Sequence, residues 1–184
     1  RASPATDQAR LLQQYFERRA LAEHFACPQL PISPQAAIAL VTRQFKLGPR
    51  DTVLGSSLGG YYATWLAERT GCRAILINPA VQPARDLIAF VGPLRTYHDD
   101  QPMELLSEHI DQLRALHAGP ITNPDRYFLI AAKGDELLDW REMVARYESA
   151  PTTLIEGGDH GLTDFADHID SVVQFAGYAQ NRSA

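Results

Sequence analysis

An α/β domain built on a mainly parallel sheet is what this sequence predicts, and three observations predict it. Four short apolar runs, at 52–54, 74–77, 127–131 and 152–155, read as strands. The segments between them carry apolar residues at helical spacing, so strands and helices alternate. The runs Ala74-Ile75-Leu76-Ile77 and Tyr127-Phe128-Leu129-Ile130-Ala131 are apolar throughout, the pattern of strands covered on both faces.

Taken in order, Ser3-Pro4 reads as the N-cap and first-turn proline of an opening helix. Leu11, Leu12, Tyr15, Phe16 and Leu21 follow it at helical spacing. His24-Phe25-Ala26-Cys27 reads as a short strand, closed by Pro28 and Pro31. Ser33-Pro34 caps a second helix, with Ala37, Ile38, Val41 and Phe45 facing inward. The strand at 52–54 leads into a glycine-rich turn, and a helix runs from Leu58 to Arg69. Asn78-Pro79 ends the strand at 74–77. Residues 79–124 form an insertion in which 87–91 and 105–116 read as short helices, broken by Gly92-Pro93 and Gly119-Pro120. The insertion either drapes over the site as a lid or wraps the sheet. Trp140 to Tyr147 reads as a helix. A closing helix turns Phe165, Ile169, Val172, Val173 and Phe175 inward. One domain spanning 1–184 is expected.

Composition narrows the function. A length of 184 residues suffices for one real core. A net charge of -5, with no run of lysines or arginines, argues against nucleic acid or an anionic membrane as partner. The apolar stretches are too short to cross a bilayer, and the first residues lack the apolar core of a signal peptide. Cys27 and Cys72 read as two reduced, buried thiols, and a cytoplasmic location is the matching expectation. Neither H-E-x-x-H nor a Cys/His cluster occurs, so no metal and no cofactor is expected. A monomer is the default.

The chemistry concentrates at Gly55-Ser56-Ser57-Leu58-Gly59, a G-x-S-x-G between strand and helix. Such a turn holds Ser57 in a strained conformation with its hydroxyl above the sheet edge. Gly55 and Gly59 are expected to leave room where strand and helix nearly touch. Amides at the start of the helix face a developing oxyanion, Leu58 N–H among them. A buried Gly/Ser turn and a nucleotide-binding turn are the rival readings; the glycine spacing is wrong for the second. Ligands gather at the carboxyl ends of parallel strands. Ser57, Asp135 and His160 follow three such ends, and they occur in the order nucleophile, acid, base. His160 would take the serine proton, and Asp135 would hold the imidazole tautomer. Glu136, Asp139 and Asp159 are the competing acids; Asp135 directly follows the strand end and Gly134, and Asp159 reads as a solvated or turn-forming carboxylate. Among the other histidines, His24 and His168 lie in or near regular elements. His98, His109 and His117 lie in the insertion, with His109 a possible pocket residue. Tyr61, Tyr62 and Trp65 read chiefly as packing, with Tyr61 able to touch the pocket.

Several long motifs together resemble a known family. They are Gly55 to Leu66, Asn78-Pro-Ala-Val81, Cys27-Pro-Gln-Leu-Pro31, Gly134-Asp135-Glu136 and Glu156-Gly-Gly-Asp-His160. This chain resembles the YqiA-like bacterial esterases of the α/β-hydrolase superfamily over nearly its whole length. The resemblance implies an α/β-hydrolase fold, a parallel sheet flanked by helices with a short helical insertion over the site. It also implies a cytoplasmic serine esterase acting on small-molecule acyl esters of short to medium chain, or on acyl thioesters. By the same resemblance Ser57, Asp135 and His160 match the triad, and Leu58 N–H matches one oxyanion donor. Members open with a strand and His-Gly-Phe before a Ser-Ser-Pro-like turn, and this chain starts at that turn. A strand and loop of about ten residues are therefore expected upstream of Arg1, with the second oxyanion donor on that loop. The alternative is a catalytically silent scaffold of the same fold that binds a small ligand or a protein.

Overall fold

The structure, a computed structural model, describes residues 6–95 and 102–178. Thr6 caps the first helix, α1 (Asp7–Glu17), its side-chain oxygen accepting from Ala9 N–H at 3.3 Å. The cap expected at Ser3-Pro4 lies outside the described residues, as does His98. The strand expected over 24–27 does not form: Ala22–His24 is a 3-10 turn, and 25–31 is irregular. Pro28 and Pro31 have no N–H to give a ladder, and no described strand pairs with this segment. α2 (Pro34–Gln44) begins where expected, with Ser33 Oγ accepting from Ala36 N–H at 3.2 Å.

The chain then forms β1 (Thr52–Ser56), α3 (Leu58–Thr70), β2 (Arg73–Ile77), α4 (Pro83–Leu87), β3 (Gly92–Arg95), β4 (Pro102–Leu105) and α5 (Ser107–Ala115). It closes with β5 (Tyr127–Ala132), α6 (Trp140–Arg146), β6 (Thr152–Ile155) and α7 (Ile169–Phe175). β1, β2, β5 and β6 make one parallel sheet in that order. Its register aligns Ser56 with Ile77, Ile77 with Ile130, and Ala132 with Ile155, so all four strands end at one rim.

Both faces of this sheet are covered, which is why its central strands needed no polar alternation. Ile75, Ile77, Phe128 and Ile130 pack under α1 and α7, with Leu12, Phe16 and Val172. Ala74, Leu76, Tyr127 and Leu129 pack under α3 and α6, with Ala67 and Met143. A third cluster joins α2, α3 and α5 through Ile38, Leu66 and Leu113. Cys72 is buried, Cys27 is half-buried, and both thiols are free.

The insertion at 79–124 holds more than the helices expected of it. Ile88–Phe90 is a 3-10 turn after α4, and β3 pairs antiparallel with β4. Gly92-Pro93, read as a break, is the start of β3. α5 is fastened to α3 by Tyr61 Oη donating to Leu113 C=O at 2.9 Å, and to α2 by Ser33 Oγ donating to Gln112 Oε1 at 2.8 Å. Arg85 of α4 grips both carboxylate oxygens of Glu142 on α6, each at 2.9 Å. Among the described residues no helix is long and apolar enough to cross a membrane.

Candidate active site

Ser57 lies between the last residue of β1 and the first of α3, at φ +53° and ψ -121°. A side chain larger than glycine rarely takes this conformation, so the surroundings must enforce it. They do so at every backbone group of Ser57. Its N–H donates to Ile77 C=O at 2.9 Å, and its C=O accepts from Gly60 N–H and Ala80 N–H, each at 3.0 Å. A Cβ on Gly55 would sit 2.1 Å from the Gly59 carbonyl oxygen, so the strand-to-helix crossing admits only glycine there. The second crowded glycine is Gly60, not Gly59. A Cβ on Gly60 would meet Pro79 Cβ at 2.6 Å, whereas Gly59 faces open space. The expected role of Gly59 is corrected on that ground: its direction on the first helical turn points away from the crossing.

Asp135 and His160 come from the loops after β5 and β6, and the structure brings both to Ser57. His160 Nε2 is 3.0 Å from Ser57 Oγ. His160 Nδ1 is 2.9 Å from Asp135 Oδ2 and 3.1 Å from Oδ1. Asp135 Oδ1 also accepts from the amides of Leu137 at 2.8 Å and Leu138 at 2.9 Å. The Asp135 side chain is fully enclosed, and that of His160 is nearly so. Burial works against ionising Asp135. The bond from His160 and the Leu138 and Leu137 amides outweigh it, holding the carboxyl below the usual aspartate value.

The two loops touch backbone to backbone. Gly134 N–H donates to Gly157 C=O at 2.7 Å, and a Cβ on Gly134 would lie 2.4 Å from the Gly158 carbonyl oxygen. Gly157 and Gly158 both take φ +75°, open to glycine at no cost. Gln8 of α1 donates to Gly161 C=O from the far side. Leu58 N–H opens α3, one of the four amides that a helix leaves without an intrahelical partner.

Of the rival residues, Asp159, Asp139 and His109 fall elsewhere. Asp159 closes its own turn, accepting from Thr163 N–H at 3.0 Å and from Thr163 Oγ1 at 2.9 Å. Asp139 caps α6 through Arg141 N–H at 2.9 Å. His109 is buried as part of the α5 cap, its Nδ1 accepting from Leu106 N–H at 3.2 Å. Two residues take roles that the sequence reading does not give them, Glu136 being weighed there only as a competing acid and Asn78 only as a strand end. Glu136 Oε2 accepts from His160 N–H at 3.0 Å, and Asn78 Nδ2 donates to His160 C=O at 3.0 Å. Their signal was faint: an asparagine at a strand end before proline, and a second acid after Asp135.

A cleft of about 640 Å³ opens from Ser57 and His160 along the outward edge of β1. Its walls come from α1 and α7 on one side and from α2 and α3 on the other, through residues such as Leu12, Val173, Ile38 and Tyr62. Tyr62 lines it, while Tyr61 is spent on α5. No described residue of 79–124 lines it. The loop expected to give a second oxyanion donor lies outside the described residues.

The model of the uncharacterised protein family UPF0227 matches residues 1–177. The chain belongs to the UPF0227 family. This UPF0227 chain is 22% identical over 128 residues to the UPF0227 protein VP0969 of Vibrio parahaemolyticus serotype O3:K6. That match covers 69% of the chain and spans 65% of the length of its relative. Among solved structures, a protein of Agrobacterium vitis S4 superposes with a TM-score of 0.68 at 17% identity, covering 94% of this chain and 83% of the other. Alpha/beta hydrolase domain-containing protein 10 from mouse gives 0.63 at 15% identity, covering 94% and 86%. Est1E from Butyrivibrio proteoclasticus gives 0.62 at 14% identity, covering 94% and 81%. These likenesses show that the UPF0227 chain has the α/β-hydrolase fold, and the family resemblance drawn from its motifs is borne out.

Proposed function

We propose that this protein is a serine esterase that cleaves small-molecule carboxylic esters of short to medium acyl chain through an acyl-enzyme. The observation that carries the reading is the unbroken line from Asp135 through the His160 ring to Ser57 Oγ, with links of 2.9 Å and 3.0 Å. Ser57 Oγ attacks the ester carbonyl carbon as His160 Nε2 takes its proton. The new imidazolium is stabilised by Asp135. The carbonyl oxygen, now negative, accepts from Leu58 N–H at the positive end of α3. His160 returns the proton to the leaving alkoxide, which departs as the alcohol and leaves the acyl group on Ser57. Water, deprotonated by His160, then releases the carboxylic acid and restores the serine. An acyl thioester would pass through the same steps.

We place the second oxyanion donor on a chain segment paired with the outward edge of β1. The support is the cleft along that edge, whose two walls are already built by helices of both layers. The fold is also that of a protein named as a hydrolase.

A fluorophosphonate probe with site mapping tests the reading on the full-length protein. The expected result is one label, on Ser57. Ser57→Ala is expected to lose at least about 10⁴-fold in kcat on p-nitrophenyl acetate. Parental turnover in that variant removes Ser57 as the nucleophile, and a native protein that takes no probe and shows no turnover returns the fold to the silent-scaffold reading. Matched oxygen and thio esters then separate the two substrate classes by their kcat/KM.

A further inference from the structure

The peptide that joins Asp159 to His160 is held at both poles by side chains from other loops. Its carbonyl oxygen accepts from Asn78 Nδ2 at 3.0 Å, and its N–H donates to Glu136 Oε2 at 3.0 Å. The second proton of Asn78 Nδ2 goes to the next carbonyl, that of His160, also at 3.0 Å. Asn78 is itself locked. It is fully buried at the end of β2, its Oδ1 accepts from Ala132 N–H at 2.8 Å, and its own N–H donates to Ile130 C=O at 2.9 Å. Its φ of +40° lies where asparagine is tolerated better than most residues.

The loop needs such a hold. Gly157 and Gly158 precede it at positive φ, and glycine resists few backbone rotations. The imidazole must still reach Ser57 Oγ and Asp135 Oδ2 at once. A buried amide whose donors and acceptor all have partners is rigid and costly to disturb. We propose that Asn78 is the positioning residue of the histidine loop, with Glu136 as its second arm. The role rests on the triad reading above, and it acts through His160 without touching substrate. It couples the ends of β2 and β5 to the loop after β6, so the imidazole takes its place from three strands.

The test uses two pairs of variants of the full-length protein. Asn78→Asp keeps size and the acceptor for Ala132 but turns a carboxylate on two carbonyl oxygens. Asn78→Gly keeps the backbone conformation and removes the side chain. Both are expected to lose about 100-fold in kcat with KM within about threefold of the parent, the mark of misplacement rather than lost binding. The proton resonance of the His160 ring N–H bonded to Asp135 is expected to vanish while the sheet signals persist. Glu136→Ala is expected to lose about tenfold in kcat, and Glu136→Gln, which keeps an acceptor, to stay within about threefold. Glu136 is exposed, so this pair reports even where an Asn78 variant fails to fold. Folded Asn78 variants with parental kcat and an unchanged resonance overturn the proposal, as does a Glu136→Gln loss equal to that of alanine. A parent that takes no probe, yet shows the resonance and loses it in Asn78→Gly, overturns the esterase reading and leaves the positioning role standing.

Discussion

Two walls meet at Ser57, and they are built to different standards. The wall of loops after β5 and β6 is closed: Gly134 bonds to Gly157, Asp135 accepts from two amides of its own loop, and Asn78 and Glu136 hold the backbone of His160. The wall along β1 is open. That strand pairs with β2 on one side, and its other edge faces the cleft. Even its threonine shows the difference, since Thr52 Oγ1 is buried with no hydrogen-bond partner among the described residues. The constellation of Ser57, Asp135 and His160 is fixed redundantly where Asp135 and His160 enter. The outward edge of β1, where the further chain segment is proposed to pair, has no strand beside it among the described residues.

The comparison can be broken at the closed wall first. Asp135→Asn frees the imidazole tautomer, and kcat on an activated ester is expected to fall by about 10⁴-fold with the fold intact. A loss below tenfold means another group orients His160. Next comes the hinge between the walls. Gly55→Ala drives a methyl into the Gly59 carbonyl, and chemical denaturation is expected to show a loss of about 3 kcal/mol or more. Near-parental stability contradicts the tightness of that crossing.

A smaller effect follows from acid. Asp135 binds protons less readily in the folded state than in the unfolded one. Its contribution is therefore complete above the unfolded value of about 3.9 and is lost as pH falls through the lower folded value. Tm is expected to drop more steeply from about pH 4 downward in the parent than in Asp135→Asn; parallel curves contradict it. The smallest effect lies at the open wall. Thr52→Val removes a hydroxyl with no partner among the described residues, and stability is expected to change by less than about 1 kcal/mol, toward stabilisation. A clear loss would reveal that something in the cleft accepts or donates there.

Legibility in the sequence followed the range of the forces. β2 and β5 were plain because burial on both faces leaves nothing but apolar residues. Gly55, Ser57 and His160 were plain because a sharp turn and a returning loop demand glycine locally. The strand foreseen at 24–27 failed because β propensity without a pairing partner has no ladder to join. The β3–β4 hairpin was hidden behind Gly92-Pro93, which marks a turn as readily as the start of an edge strand. The hold of Asn78 and Glu136 on the histidine loop was unreadable for another reason. Their partners in the histidine loop lie far along the chain, and nothing in local spacing announces a hydrogen bond that only the assembled sheet creates.

The bare contact between Gly134 and Gly157 ties the loop of Asp135 to the loop of His160. Deuterium can replace the Gly134 amide proton only when both loops part together, so its exchange rate measures how often the site comes undone. A ligand that slows that exchange would be recognising the assembled pair, and one that leaves it untouched would be resting elsewhere on the surface.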